Sequence, residues 1–354
     1  MNFKVEQLFD FITNVFVSMG SEEADARLAA KVLCLADLRG VDSHGIARLK
    51  GYVRLWEQKR LNANPKIKIT YETPSTAIVD GDAGAGLMVA PKAMQIAIEK
   101  AKVAGTGWVA VKNSNHYGIA AAHSMLALEH DMIGWSMTNA SPLVVPTWSK
   151  SKYLGTNPIS VAIPAGKEHP VVIDMATTTV ANGKLEVAAR KGVDIPYGWA
   201  VDKDGKPTNS AYALKNGGAM LPLGGETGNH KGYCLGALVD IFTGVLSGAN
   251  YGPWVPPFVA FLDAESEKVG EGIGHFLGAM RVDAFRPADE FKANMDKWIQ
   301  TFHDAVPTEG HDRVLVPGDP ERMLTEERSK NGIDLLPAVV EDMEMLAKKF
   351  NIKI

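Results

Sequence analysis

Apolar positions recur at helical spacing over roughly residues 5–59. Leu8, Phe11, Ile12, Val15 and Phe16 form one stripe, and Ser21-Glu22-Glu23 opens a second helix that turns Leu28, Val32 and Leu35 inward. The chain therefore starts helical, not with the strand that opens a dinucleotide-binding fold. Pro65 and Pro74 bracket an alternating strand over 67–71, and 76–79 reads as its hairpin partner or neighbour. A Gly-rich turn and helix over 81–104 lead into a strand at 108–111. A helix follows His116 and runs to His130, and strands fall at 133–137, 159–163 and 171–173. A helix is predicted at 181–190, a buried one at 233–246, strands at 256–261 and 275–282, and amphipathic helices at 288–306 and 335–350. Alternating helix and strand signals point to an α/β core.

Composition narrows the function classes. The 354 residues are 46% hydrophobic, ordinary for a globular chain with a sizeable core. With 37 basic against 41 acidic residues the net charge is −4, which gives no broad basic field for nucleic acid or anionic lipid, so neither is an expected partner. An anion site must be local. Cys34 and Cys234, two hundred positions apart in apolar stretches, read as reduced thiols. The first ten residues break their apolar run with Lys4, Glu6 and Asp10, and 233–246 is too short to span a bilayer and carries Asp240. A cytoplasmic protein is expected.

The stretch from Leu38 to Tyr52 gathers Ser43, His44 and Arg48. If the chain is helical from Gly45, His44 and Arg48 share a face. A guanidinium that grips a carboxylate beside an imidazole that handles a proton suits a small anionic substrate. A Ser-capped helix start with an exposed Arg accounts for the spacing equally well. Two other patterns carry less. Gly84-Ala-Gly86 lacks the third glycine and the later acidic residue of a dinucleotide fingerprint, and reads as a tight turn. His116, His123 and His130 recur every seven residues, roughly 10 Å apart on a helix, too far to share a metal. No metal site is expected.

Six motifs in order carry more: 37–45, Asn-Ser-Asn-His-Tyr-Gly at 113–118, Gly-Thr-Asn-Pro at 155–158, Ile-Asp-Met-Ala at 173–176, Asn-Gly-Lys at 182–184 and Asn-His-Lys-Gly-Tyr at 229–233. Together they resemble the type-2 malate/L-lactate dehydrogenase family, NAD(P)-dependent oxidoreductases that include ureidoglycolate and sulfolactate dehydrogenases and piperideine-2-carboxylate reductases. The resemblance implies an α/β fold with a non-Rossmann mixed-sheet core and a helical layer from the N- and C-terminal segments. In domain terms, residues 1–72 form a helical segment packing with the helices of 288–354, around a cofactor- and substrate-binding core over 73–287.

Oxidation of a 2-hydroxy acid needs a carboxylate holder, a base and a cofactor face. Arg48 is the candidate for the carboxylate. His116, in a polar loop between strand and helix, has an imidazole suited to accept a proton near neutral pH, and the resemblance gives its counterpart that role, with Ser43-His44 as a relay. Lys184 could stabilise developing charge or be a plain exposed residue. Imine-reducing relatives hold an aspartate there, so lysine favours the hydroxy-acid branch. Thr156 and Asn157, with Asn182 and Gly183, are candidates to orient substrate, though Asn-Pro is also a turn signal. For the cofactor the resemblance points to Gly118, Ile119 and Ala120, to Asp174, Met175 and Ala176, to His230 and Lys231, and to Arg313, Pro317 and Gly318. Asp174 would repel a 2′-phosphate, favouring NAD over NADP. The expected protein is a homodimeric NAD-dependent malate dehydrogenase. Lactate, sulfolactate, ureidoglycolate and NADPH-dependent cyclic imine reduction are alternatives. Outside that class stands a non-catalytic ligand-binding protein, whose mark would be a missing motif; all six are present.

Overall fold

A computed structural model describes all residues except Phe261, Ala264, Glu265 and Ser266. The short strand β1 (Asn2–Phe3) leads into helix α1 (Val5–Ser18), whose stripe of Leu8, Phe11, Ile12, Val15 and Phe16 is wholly buried. Truncating one of these leucines or isoleucines to alanine would cost about 2–5 kcal/mol. Helix α2 (Glu23–Leu38) packs on α1 through Ala26, Ala29, Ala30 and Leu33, while Leu28 and Leu35 are only half-buried. Small residues on this face let the two helix backbones approach closely.

The helix considered from Gly45 forms from Ile46, first as a 3₁₀ turn that runs straight into an α-helix, and it leaves His44 outside. Residues Asp42–His44 and Ile46–Arg48 make two 3₁₀ turns broken at Gly45, and helix α3 (Leu49–Glu57) starts only afterwards. The break has a physical cause: the Asp37 carboxylate reaches over Gly45 to accept the Ile46 N–H at 2.8 Å. A Cβ on Gly45 would fall 1.8 Å from that carboxylate.

The predicted hairpin is present as β2 (Lys68–Glu72) and β3 (Thr76–Gly84), followed by α4 (Gly86–Ala104) and β4 (Thr106–Ser114). The segment after His116 is a single helical turn, α5 (Ala121–Ser124), continued by a 3₁₀ stretch to His130. Then come β5 (Met132–Thr138), β6 (Ile159–Ile163), β7 (Val171–Met175) and α6 (Asn182–Lys191). Two-residue strands β8 (Ala200–Val201), β9 (Pro207–Thr208) and β10 (Ala219–Met220) make a small separate sheet that the periodicity did not predict. Segments this short carry no alternation to read.

Helix α7 (Gly225–Asp240) runs on through a π-helical turn at Ile241–Val245. The stretch expected to be buried is not: Ile241 is 53% and Val245 55% exposed, and Leu238 and Leu246 join them on one apolar face. The strand expected over 256–261 is also absent. Residues 256–260 are irregular, and Phe261 lies outside the described residues. Strand β11 (Ile273–Arg281) is present.

The main sheet is mixed, with strand order β2-β3-β4-β11-β5-β6-β7. Only β3 and β4 run parallel, joined by α4, and β11 enters between β4 and β5 from far along the chain. Helix α4 covers one face, burying Ala90, Ala93, Met94, Ala97 and Ile98 against Val79, Val109 and Val111. Helix α8 (Ala288–His303) packs through Ile299 on Val171 at the β7 edge. Helix α9 (Asp319–Asn331), absent from the predicted set, lies against α2, and α10 (Pro337–Phe350) lies against α1 and α3. Strand β12 (Ile333–Asp334) pairs antiparallel with β1, bringing the two ends of the chain together.

Candidate active site

The loop between β4 and α5 carries His116, and the paired 3₁₀ turns carry Ser43, His44 and Arg48. The two segments face each other across a cleft of about 1100 Å³, counting the solvent at its mouth. The imidazoles of His44 and His116 lie 5.6 Å apart at 22° to each other, and His116 also stacks on Phe258 at 4.4 Å.

Each imidazole has one nitrogen held. Ser43 Oγ meets His44 Nδ1 at 2.8 Å, and Tyr52 Oη meets His116 Nδ1 at 2.6 Å. Burial and the neighbouring Arg48 charge lower His44 to about 4. Burial, then the charges of His44 and Arg48, hold His116 well below its ordinary value of 6.5. Both rings are therefore neutral at pH 7. Arg48 spends its Nε on the Ser43 carbonyl and forms no ion pair among the described residues, so its remaining fork of donors lines the cleft unpaired. A planar anion is the natural partner of such a group.

The far wall is built by Gly118, Ile119 and Ala120 and by Asp174, Met175 and Ala176 at the end of β7. Gly118 sits at φ +79°, and a Cβ there would lie 2.8 Å from Val32, so the loop needs glycine to turn here. Asp174 Oδ2 accepts the Ala121 N–H at 3.0 Å. Desolvation by the surrounding wall raises its carboxyl above the usual range, against the Ala121 bond and the Arg39 charge, although the side chain stays open to the cleft. Arg39 and Glu321 share this end, and one buried Arg39 nitrogen, Nη2, has no hydrogen-bond partner.

Of the other sequence-predicted residues, Thr156, Asn182 and Gly183 line the cleft. Asn157 is fully buried instead, accepting from Ala140 N at 3.2 Å and donating to the Gly236 carbonyl at 3.0 Å, so it ties loops together behind the wall. Lys184 is exposed and lines no part of the cleft, although its neighbour Gly183 abuts Ser43. His230 and Lys231 are exposed on α7, and Arg313 is exposed. Pro317 accepts the Val172 N–H at 3.0 Å and Gly318 packs on Val172, bracing the strand that carries Asp174. Tyr52, Phe258, Arg39, Ser141 and Glu321 are site residues that sequence reasoning did not assign. Only Arg39 and Tyr52 fall inside the stretch already singled out.

A neutral imidazole pair, an unpaired guanidinium and an elongated wall of small residues ending in a carboxylate define a cleft for a small carboxylic acid beside a larger polar cofactor. The chain matches the malate/L-lactate dehydrogenase family over residues 3–344 and belongs to it. It is 42% identical to a malate dehydrogenase of Pyrococcus abyssi over 351 residues, covering 98% of this chain and 94% of that protein. It is 38% identical over 355 residues to an L-sulfolactate dehydrogenase of Methanocaldococcus jannaschii, covering 100% and 98%. The solved malate dehydrogenase of Entamoeba histolytica superposes with a TM-score of 0.93 at 34% identity, covering 100% of this chain and 99% of that one. The protein is thus a pyridine-nucleotide-dependent dehydrogenase of 2-hydroxy acids with a small-molecule substrate. Among the described residues no helix is long and apolar enough to cross a membrane.

Proposed function

We propose that this enzyme interconverts malate and its 2-oxo acid with NAD. The observation that carries the reading is the convergence of an unpaired Arg48 fork and a neutral His116 on one cleft. Arg48 grips the C1 carboxylate and sets the hydroxyl toward His116, which takes its proton as the C2–H bond breaks. The Ser43-His44 pair, fixed at 2.8 Å, keeps a second neutral imidazole beside the reacting oxygen. Lys184 is assigned no proton in this scheme, because its side chain stands outside the cleft.

The pyridine nucleotide supplies the hydride acceptor when bound. Gly118, Ile119 and Ala120 would hold it by close backbone approach, and Asp174, Met175 and Ala176 would flank its sugar. The unpartnered Arg39 Nη2 beside these residues fits a polar ligand at this end. Asp174 and Glu321 together favour NAD, because a 2′-phosphate would meet two carboxylates here against the single guanidinium of Arg39. Malate is preferred over sulfolactate because the relatives named malate dehydrogenase include the more similar ones, at 42% identity against 37–38% for those named L-sulfolactate dehydrogenase. The same reading takes the protein as a cytoplasmic homodimer. Two unbridged cysteines and the exposed apolar face of α7 support it.

A panel of malate, lactate, sulfolactate, ureidoglycolate and a cyclic imine, each with NAD and NADP and followed by the absorbance of the reduced nicotinamide, tests the reading. The highest kcat/KM is expected for malate with NAD. A higher value for another substrate, or for NADP, would replace that part of it.

A further inference from the structure

The stretch that carries His44 and Arg48 is held from beneath by a side chain that the reaction scheme does not use. Asp37, in the last turn of α2, is 1% exposed, and its carboxylate fills the space that a Cβ on Gly45 would take. Its Oδ2 accepts the Ile46 N–H at 2.8 Å. The carbonyl of the same Gly45–Ile46 peptide accepts the Arg48 N–H at 2.9 Å. One peptide plane is therefore held at both ends, by Asp37 on one side and by the backbone of Arg48 on the other.

That plane fixes the angle between the two 3₁₀ turns. Arg48 belongs to the second turn, yet its Nε donates to the Ser43 carbonyl in the first. The direction of its remaining donors therefore depends on how the turns sit relative to each other. The first turn has an anchor of its own, because Arg328 on α9 donates to the Asp42 carboxylate and to the Asp37 carbonyl. The second turn is tied to α2 through Ile46, by its N–H on Asp37 and by its buried side chain. Burial pushes the Asp37 carboxyl up to about 7, against the Ile46 bond. Both protonation states keep an oxygen that accepts the N–H, so the contact holds on either side of neutrality.

We propose that Asp37 is the positioning residue that sets the reach of Arg48 into the cleft, and with it the affinity for the acid. The inference rests on the reading of Arg48 as holder of the C1 carboxylate. The position requires an acceptor and does not require a charge. Without the acceptor the Gly45–Ile46 peptide is free to turn, and a guanidinium fork that must meet a planar carboxylate at two points is displaced. The cofactor walls at Gly118–Ala120 and Asp174–Ala176 do not share this peptide.

Steady-state kinetics of three variants test the proposal. Asp37→Ala should raise KM for malate about tenfold or more, as a slightly misplaced contact does, while KM for NAD changes less than about threefold. Asp37→Asn keeps an oxygen for the Ile46 N–H and should hold KM for malate within about threefold of the unsubstituted enzyme. A merely structural role would raise both KM values together or lower only the folded fraction, and the asparagine would not restore malate binding selectively. Gly45→Ala pushes the carboxylate away from the other side and should raise KM for malate in a chain that keeps Asp37; it decides if Asp37→Ala fails to fold. An unchanged KM for malate in Asp37→Ala, equal rises for malate and NAD, or an Asp37→Asn enzyme as impaired as Asp37→Ala would overturn the proposal. An unchanged KM for malate in Arg48→Lys would instead remove the underlying reading, and this inference with it.

Discussion

Four histidines meet around the β4–β11 region, and they divide into two kinds. His44 and His116 each have one ring nitrogen held and line the cleft. His123 and His275 are sealed behind them, on either side of Tyr117, with ring centroids 4.5 and 4.8 Å from the tyrosine. His275 has both nitrogens engaged, with Thr138 Oγ1 and Ser114 Oγ each at 2.8 Å, and His123 Nε2 is held by the Tyr117 carbonyl at 2.8 Å. All four are pushed below the ordinary histidine value by burial, His123 to about 4 and His275 to about 3. A lowered pKa therefore does not separate the working pair from the sealed pair. A nitrogen that a ligand can reach does.

This contrast can be broken by mutation. His116→Ala should lower turnover per folded molecule about 10²-fold or more, the usual loss on removing a general base. Comparable loss from His275→Ala at equal folded concentration would erase the distinction. Arg48→Lys keeps the charge but loses the bidentate fork, so KM for the acid should rise about ten- to a hundredfold, in line with about 1.5–3 kcal/mol for a charge-assisted bond. An unchanged KM would move the carboxylate elsewhere.

His275→Ala should behave in the opposite way to His116→Ala. It strands two buried hydroxyls and leaves a cavity, so stability should fall by about 2–5 kcal/mol, with turnover per folded molecule nearly constant. Denaturant unfolding paired with active-site-normalised rates reads both. The smallest effect is expected for Lys184→Ala, less than about threefold in kcat/KM, in keeping with an exposed ammonium. A larger fall would show that Lys184 swings into the cleft.

Much of this was legible in the chain because its signals are local. The α1 stripe, the hairpin of β2 and β3 and the strands at 159–163 and 273–281 follow from periods of 3.6 and 2. The Leu38–Tyr52 stretch singled out Ser43, His44 and Arg48 by itself, and the motif order led to the family and with it to the roles of His116 and Asp174; the fold brings all five to one cleft. The misses have long-range causes. His44 stands outside the helix that begins at Ile46, because the Asp37 carboxylate holds the Ile46 N–H and separates the two 3₁₀ turns, a contact invisible to local periodicity. The apolar stretch ending α7 was read as buried, but periodicity cannot tell a core face from an exposed apolar one. Asn157 looked like a substrate contact in a turn, yet its amide is consumed by Ala140 and Gly236. Phe258 and Glu321 arrive from distant segments with no motif of their own.

The pH dependence of kcat/KM for malate oxidation by the unsubstituted enzyme tests the central claim most directly. The catalytic imidazole must be unprotonated to accept the hydroxyl proton, and burial has lowered its pKa, so it gives up its proton at a lower pH than a free histidine. Activity should rise with pH through an acid limb lying clearly below 6.5 and be level by neutrality. An acid limb at or above 6.5 would contradict the account, because it would mean that the working imidazole is not one of the desolvated pair in the cleft.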